Sequence, residues 1–168
     1  MWWLIIVVVV LLILGVIAFV YFQNKQYKKI SFKETLELTG LPIITFHHWN
    51  KQCNDIKLNF LLDTGASHSI IDKNVLEGMN YKHTGRKHEM CGLDGIKRVT
   101  QDVALTVEYD GKEFHGTFQV DDMTPIFSEI KGRTGVTIHG VLGSTFFNKY
   151  RYIIDFDKYI TYSKTWRQ

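Results

Sequence analysis

The chain has 168 residues, 45% of them apolar, with a net charge of +3 and a pI near 8.8. So mild a balance gives no argument for nucleic-acid binding, and none is expected. Two cysteines, Cys53 and Cys91, form no CxxC pair and no zinc-ligand spacing. They are either free thiols or one bridge, and their spacing does not decide between the two.

Trp2 to Phe22 carries no charge and no strongly polar side chain. At about 1.5 Å per residue this stretch makes a helix of about 31 Å, enough to cross a bilayer core. A cleaved signal peptide would need a basic start, a shorter apolar run and small residues before the cut. Met1-Trp2-Trp3 is not basic, and Gly15 and Ala18 form no such site. The reading is a retained anchor over residues 1–23, with Trp2, Trp3, Tyr21 and Phe22 at its two interfacial ends. Lys25, Lys28, Lys29 and Lys33 follow it and no Lys or Arg precedes it. The positive-inside bias then places the carboxyl-terminal side in the cytoplasm. Residues 24–38 read as a juxtamembrane linker, with Ser31-Phe32-Lys33-Glu34 as a capping box opening a short helix.

The remaining part, residues 39–168, reads as one domain. Leu41 to Phe46 forms a strand, His47 to Lys51 the turn after it, and 56–62 the returning strand. His47 and His48 resemble a ligand pair, but neighbours on a strand point to opposite faces, so they are read as exposed polar residues near a turn. His68, His83, His88, His115 and His139 are scattered and receive no ligand role. No metal and no cofactor is expected.

Ile56 to Leu61 alternates and then becomes wholly apolar, ending at Leu62-Asp63-Thr64-Gly65-Ala66-Ser67. Ile70-Ile71 resumes the apolar pattern. Asp is rarely buried unless something requires it. Asp63 is therefore either a surface-turn residue or a carboxylate held between two buried strands, and the apolar flanks favour the second.

Asp72 can cap a short helix over about 73–79. Tyr81 to Lys87 is polar and loop-like. Gly92-Leu93-Asp94-Gly95 then forms the tip of a hairpin, which is either an ordinary turn or a mobile flap over a cleft. Strands 103–109 and 113–120 are joined by Asp110-Gly111, whereas Asp121-Asp122 lead into a loop. Val136 to Gly143 reads as an apolar strand, with Ser144 capping a short helix after it. Ile153 to Phe156 and Tyr159 to Tyr162 flank Asp157-Lys158 as a last hairpin. The fold class is mostly β, with many short strands and turns closing a small barrel or sandwich.

Taken in order, Asp63-Thr64-Gly65-Ala66-Ser67 behind an apolar strand, the hairpin tip 92–95, and Val141-Leu142-Gly143 before a short helix resemble the retropepsin-like aspartic proteases. The likeness is strongest to bacterial membrane-anchored members with a single Asp-Thr-Gly. It covers roughly residues 41–162 and implies a small closed barrel of the acid-protease type. It also implies that Asp63 is catalytic, and that Thr64, Gly65, Ala66 and Ser67 shape its loop. Gly92, Leu93, Asp94 and Gly95 would then be the flap, and Val141, Leu142 and Gly143 the loop's support near substrate.

Peptide hydrolysis by this class uses two carboxylates sharing one proton. The chain carries one Asp-Thr-Gly, and Asp155 lies in Ile-Asp-Phe with no Thr-Gly after it. The resemblance therefore implies a homodimer with Asp63 from each subunit at the two-fold axis and Thr64 bonding across it. An anchor would aid a weak dimer by raising its effective concentration. Ala66 lacks the hydroxyl that pepsin-like enzymes usually place there, so an activity optimum nearer neutral pH is expected.

The expected function is a membrane-anchored aspartic endopeptidase acting on a protein or peptide substrate. Two other readings stay open. One is a catalytically silent module of the same fold tethered to the membrane for binding or assembly. The other is an unrelated all-β adhesion or lipid-facing domain.

Overall fold

The computed structural model describes residues 2–25, 29–50, 52, 54–91 and 97–164, with the side chains of 4, 5, 8, 20–25, 90, 91 and 98 left aside. The apolar amino-terminal stretch forms helix α1, Trp2–Lys25. Its described side chains are exposed along their length, Trp2 at 79% and Phe19 at 65%. Among the described residues no helix is long and apolar enough to cross a membrane.

Strand β1, Lys29–Ser31, and helix α2, Lys33–Thr39, occupy the stretch read as a linker. Ile30 and Phe32 drive this departure, because both are apolar and both are buried in the core. The capping box does not form. Phe32 is the N-cap, and Ser31 Oγ accepts the Lys33 N–H instead. Gly40 ends α2 at a φ of 72°, where its N–H bonds the Leu36 carbonyl.

Strands β2, Ile43–Trp49, and β3, Asp55–Leu62, pair antiparallel from Ile43↔Leu61 to Trp49↔Asp55. His47 and His48 thus lie inside a strand, where a turn was expected. The period-2 alternation sends them apart. His47 faces out to Asp55, with Nδ1 2.7 Å from its carboxylate. His48 is 3% exposed; its Nδ1–H donates to the Thr106 carbonyl and its Nε2 accepts the Asn80 N–H. Its side chain is core, not exposed polar surface.

Strand β4, Ile70–Asp72, runs into a single 3-10 turn at Lys73–Val75, capped by the Asp72 carboxylate. Strand β5, Tyr81–Cys91, includes 81–87, which were expected to be a loop. A register shift between His83 and Lys87, with Gly85 at a φ of 76°, marks a bulge in it. Its polar side chains are tolerated because residues 82–87 are exposed. Strands β6, Lys97–Tyr109, and β7, Lys112–Asp121, meet at Asp110-Gly111, both at positive φ, as a two-residue hairpin turn demands.

Helix α3, Thr124–Thr134, has no counterpart in the sequence reading; Phe127 is its one buried residue. Lys73 and Asp122 pair at 2.7 Å just before it, and the ammonium, with Thr124, holds the Asp122 carboxyl down at about 2. Strand β8, Gly140–Leu142, precedes helix α4, Ser144–Tyr150, and strands β9, Tyr152–Asp155, and β10, Ile160–Ser163, close the chain. Gly143, not Ser144, is the N-cap of α4.

The main sheet has the order β2-β3-β8-β4-β7-β6-β5, and His47↔Glu108 joins β2 back to β6. That pairing closes a barrel, with β5 extending β6 outside the ring. A separate sheet runs β1-β10-β9. Phe46, Phe60, Phe114, Phe118 and Phe146 fill the barrel, with Phe46 and Phe114 centroids 5.1 Å apart, edge to face. A second cluster of Ile43, Phe127, Ile138 and Val141 seats α3 against the outside of β2 and β8.

Candidate active site

The site is built by three strands that are not consecutive. β3 enters it, and β4 leaves it. β8 passes between them, parallel to β3 at Leu61↔Val141 and antiparallel to β4 at Ile70↔Val141. The apolar run of β3 is explained by this position: Leu58, Phe60 and Leu62 face the barrel interior. Asp63 is the first residue past β3, and its N–H donates to the Leu142 carbonyl at 3.1 Å. The strand pairing thus fixes the backbone beneath the carboxylate.

The turn that follows is held by its own groups. Gly65 N–H donates to Asp63 Oδ1 at 2.8 Å, and Ala66 N–H donates to the Asp63 carbonyl at 3.3 Å. A Cβ on Gly65 would stand 3.2 Å from the same Oδ1, tight enough to disturb the carboxylate. Asp63 is half-buried, whereas Thr64 and Gly65 are exposed. The carboxylate therefore sits at an open rim with its backbone anchored in the core. Thr64 gives its carbonyl to Ser144 Oγ–H at 3.3 Å. Ala66 packs against the second apolar cluster. Ser67 Oγ lies 3.0 Å from His68 Nδ1, and its carbonyl accepts the Thr145 N–H.

Val141 and Leu142 are buried at 6% and 0%, and Gly143 is buried with them. The fit at Gly143 is close. A Cβ there would lie 2.4 Å from the His68 carbonyl oxygen and 2.8 Å from that of Ala66. Gly143 N–H donates to Ser69 Oγ at 3.1 Å, and Ser144 N–H donates to the Ala66 carbonyl at 2.8 Å. Residues 63–69 and 141–145 are thereby laced together. The expected flap residues Gly92, Leu93, Asp94 and Gly95 lie outside the described residues.

The sequence reading missed several members of this assembly. Ser69 is 1% exposed and bonds both Gly143 and, through its carbonyl, Gln119 N–H. A small polar residue just before the apolar Ile70-Ile71 pair is the signal it leaves. His139 accepts the Asn59 N–H on Nδ1 at 2.9 Å and returns its own backbone N–H to the Asn59 carbonyl. Burial holds its imidazole below the ordinary value. His88 and Asp102 pair at 2.9 Å across β5 and β6, near His68, whose ring centroid is 6.0 Å from that of His88. Asp155 stands apart in the β1-β10-β9 sheet; its carboxylate accepts the Lys158 N–H, which keeps it below the ordinary value. Among the described residues no group of three or more His, Cys, Asp or Glu could hold a metal ion.

The chain is similar to several solved structures at low identity. A retropepsin-like aspartic protease from Rickettsia conorii is 18% identical, with 82% of this chain and 89% of that one covered, at a TM-score of 0.44. The EIAV protease in complex with the inhibitor HBY-793 is 22% identical over 62% of this chain and 85% of that one, at 0.40. The retroviral protease-like domain of Ddi1 from Leishmania major is 14% identical over 72% and 87%, at 0.45. No curated protein matches. A model of the family described as aspartyl protease matches residues 50–146, more than half the chain, and this span holds β3, the Asp63 loop, β8 and the start of α4. The chain belongs to the aspartyl protease family.

Proposed function

We propose that this protein is an aspartic endopeptidase that hydrolyses peptide bonds through two Asp63 carboxylates brought together in a homodimer, with α1 as a membrane anchor and the catalytic domain on the cytoplasmic side. The observation that carries the reading is the pinned carboxylate. Asp63 Oδ1 is fixed by Gly65 N–H, its backbone is fixed by Leu142, and its loop faces outward. One such carboxylate can orient a water and take its proton. A second, protonated one is needed to donate to the scissile carbonyl. One chain has one Asp-Thr-Gly, so the second comes from another copy.

The anchor rests on Trp2 to Phe22, whose residues are uncharged and apolar, and the side on the lysines after it. The exposed loop at Thr64 and Gly65 leaves room for a partner loop. The test is a mass-spectrometric cleavage profile of the purified full chain in detergent, with wild type, Asp63→Ala and Asp155→Ala. The reading expects cleavage that rises more steeply than linearly with protein concentration, is lost in Asp63→Ala and is kept in Asp155→Ala. Dimers that cleave nothing across a broad peptide library would instead identify a silent binding module.

A further inference from the structure

Strands β2 and β6 meet at one register pair, His47↔Glu108. Beside that contact opens a cavity of about 560 Å³, and Trp49, Thr106, Glu108, Glu113 and His115 are in its wall. Glu108 and Glu113 stand directly opposite each other across β6 and β7. Like charges so placed repel. The Glu108 oxygens accept from Trp49 Nε1–H and from Gly111 N–H, each at 3.2 Å and each neutral. Among the described residues the one ion-pair partner of either carboxylate is His115, 3.7 Å from Glu113. Trp49 is 53% exposed, so its bond to Glu108 holds a large indole in place at the surface. A fixed aromatic face beside two carboxylates with no Lys or Arg between them is a place made for a cation.

We propose that this end of the cavity takes an arginine side chain of the polypeptide substrate, remote from the scissile bond; the substrate's part in it rests on the endopeptidase reading above. The guanidinium plane lies on the Trp49 indole, and its N–H groups reach Glu108 and Glu113. Lysine offers neither plane nor fork and binds less well. The glutamates repel a carboxylate, and an apolar guest leaves their own repulsion in place. Lys82 also lines the cavity, but opposite Ala104, about 13 Å from Glu108 along β6 at about 3.3 Å per residue. Lys149 Nζ is held by the His115 carbonyl at 2.6 Å. Continuity with the Asp63 loop points to substrate as the occupant. The cavity shares Gly116, Thr117 and Lys149 with a second one of about 280 Å³, which His68 and Ser69 line just past Asp63. A chain lying across Asp63 can run on through both. Trp49 pairs with Asp55, at the end of β3 opposite Asp63, so an extended chain spans the distance in about eight residues.

The test uses the full chain in detergent micelles. The Trp49 indole N–H resonance, assigned by its loss in Trp49→Phe, is followed while N-acetylarginine methylamide or its lysine, glutamate or norleucine analogue is added. The arginine probe is expected to shift it saturably and to bind tighter than the lysine probe, and the other two to leave it unmoved. Glu108→Gln and Glu113→Gln are each expected to weaken arginine binding about fivefold. Glu113 is exposed, so its variant decides should Glu108→Gln fail to fold. Cleavage of a library of long peptides by wild type, read by mass spectrometry, is expected to enrich Arg about eight residues from the cut. No shift, or equal shifts from all four probes, overturns the proposal. Arginine binding and cleavage without that enrichment overturn substrate as the occupant and assign the site to a separate protein. Arginine binding without any cleavage sinks the peptidase reading and leaves the site, whereas cleavage without arginine binding does the reverse.

Discussion

Gly143 lies against His68 so closely that a single added carbon would fall 2.4 Å from the His68 carbonyl oxygen and 2.6 Å from its carbonyl carbon. Both neighbours are backbone, so neither can swing aside. Gly143→Ala should push the Asp63 loop away from β8, costing about 1–3 kcal/mol through overpacking. Thermal unfolding would read the loss. Peptidase activity should fall by more than the unfolded fraction explains, because Ser69 and Ala66 lose their bonds to 143 and 144 together. A Gly143→Ala variant with wild-type melting and activity would remove this contact from the account.

Gly140 is the parallel case three residues earlier, at the start of β8. Its Cβ would meet the Ile70 carbonyl at 2.5 Å and the Phe60 ring at 2.7 Å. Gly140→Ala should destabilise by about 1–3 kcal/mol, mainly by prising β8 from β4. Urea denaturation gives the value, and hydrogen exchange at Ile71 and Asp72 should accelerate first.

Asp63→Asn should cut turnover by about a thousandfold or more while leaving the melting temperature close to wild type. An amide oxygen can still accept Gly65 N–H, so the loop keeps its shape and only the proton chemistry is lost. Single-turnover peptide cleavage measures the first effect, and calorimetry the second.

His139 makes stability depend on pH. Its folded-state value lies below the ordinary imidazole value of 6.5 because burial disfavours the cation, and its Nδ1 must stay bare to accept Asn59 N–H. Above the ordinary value both states are neutral there and the contribution is whole. As pH falls below it, the unfolded chain takes up the proton first, so stability declines until the folded-state value is passed. Denaturation midpoints between pH 7 and pH 5 should fall for wild type and fall less for His139→Gln. Identical slopes would exclude His139 as the source.

Ala66→Ser should move the pH–rate maximum toward acid by about one unit, because a hydroxyl at this position can donate to the carboxylate beside it. Ala66 packs in an apolar cluster with Ile43, Phe127 and Val141, so some stability should be lost as well. An unmoved profile would show that residue 66 does not tune the reaction.

The elements legible in the sequence are those whose residues have one use. Asp110-Gly111 demands two positive φ values, and the turn forms there. The alternation of 56–62 ending in Leu61-Leu62 marks a strand entering a core, and β3 does so. The elements that were missed carry weak or divided signals. α3 fully buries only Phe127, with Met123 and Ile130 beside it as one short apolar face, and Pro125 at its start and Gly135 at its end were its remaining markers. Residues 81–87 lie where β5 extends beyond the closed ring, so their polar character says loop although their backbone pairs with β6. β1 has three residues, and only its pairing with β10 across the chain makes it a strand. His48 looked like surface because its neighbour His47 is surface. Its two backbone partners, Thr106 and Asn80, are remote in sequence. The same remoteness hid the joining of His88 to Asp102.

The passage of β8 between β3 and β4 also sets an order of events for the nascent chain. Thr64 and Ser144, which are bonded in the finished loop, lie 80 residues apart. Until β8 emerges, β3 and β4 have no strand between them, and the Asp63 backbone N–H has no Leu142 carbonyl to meet. Contacts this distant are slow to form, since a long loop must close before any of them is gained. The carboxylate is thus assembled late, after the β6–β7 hairpin can already exist. A partly synthesised or truncated chain ending before 142 should hold the whole Asp-Thr-Gly sequence and its local turn, but lack the Leu142 carbonyl that fixes the Asp63 backbone.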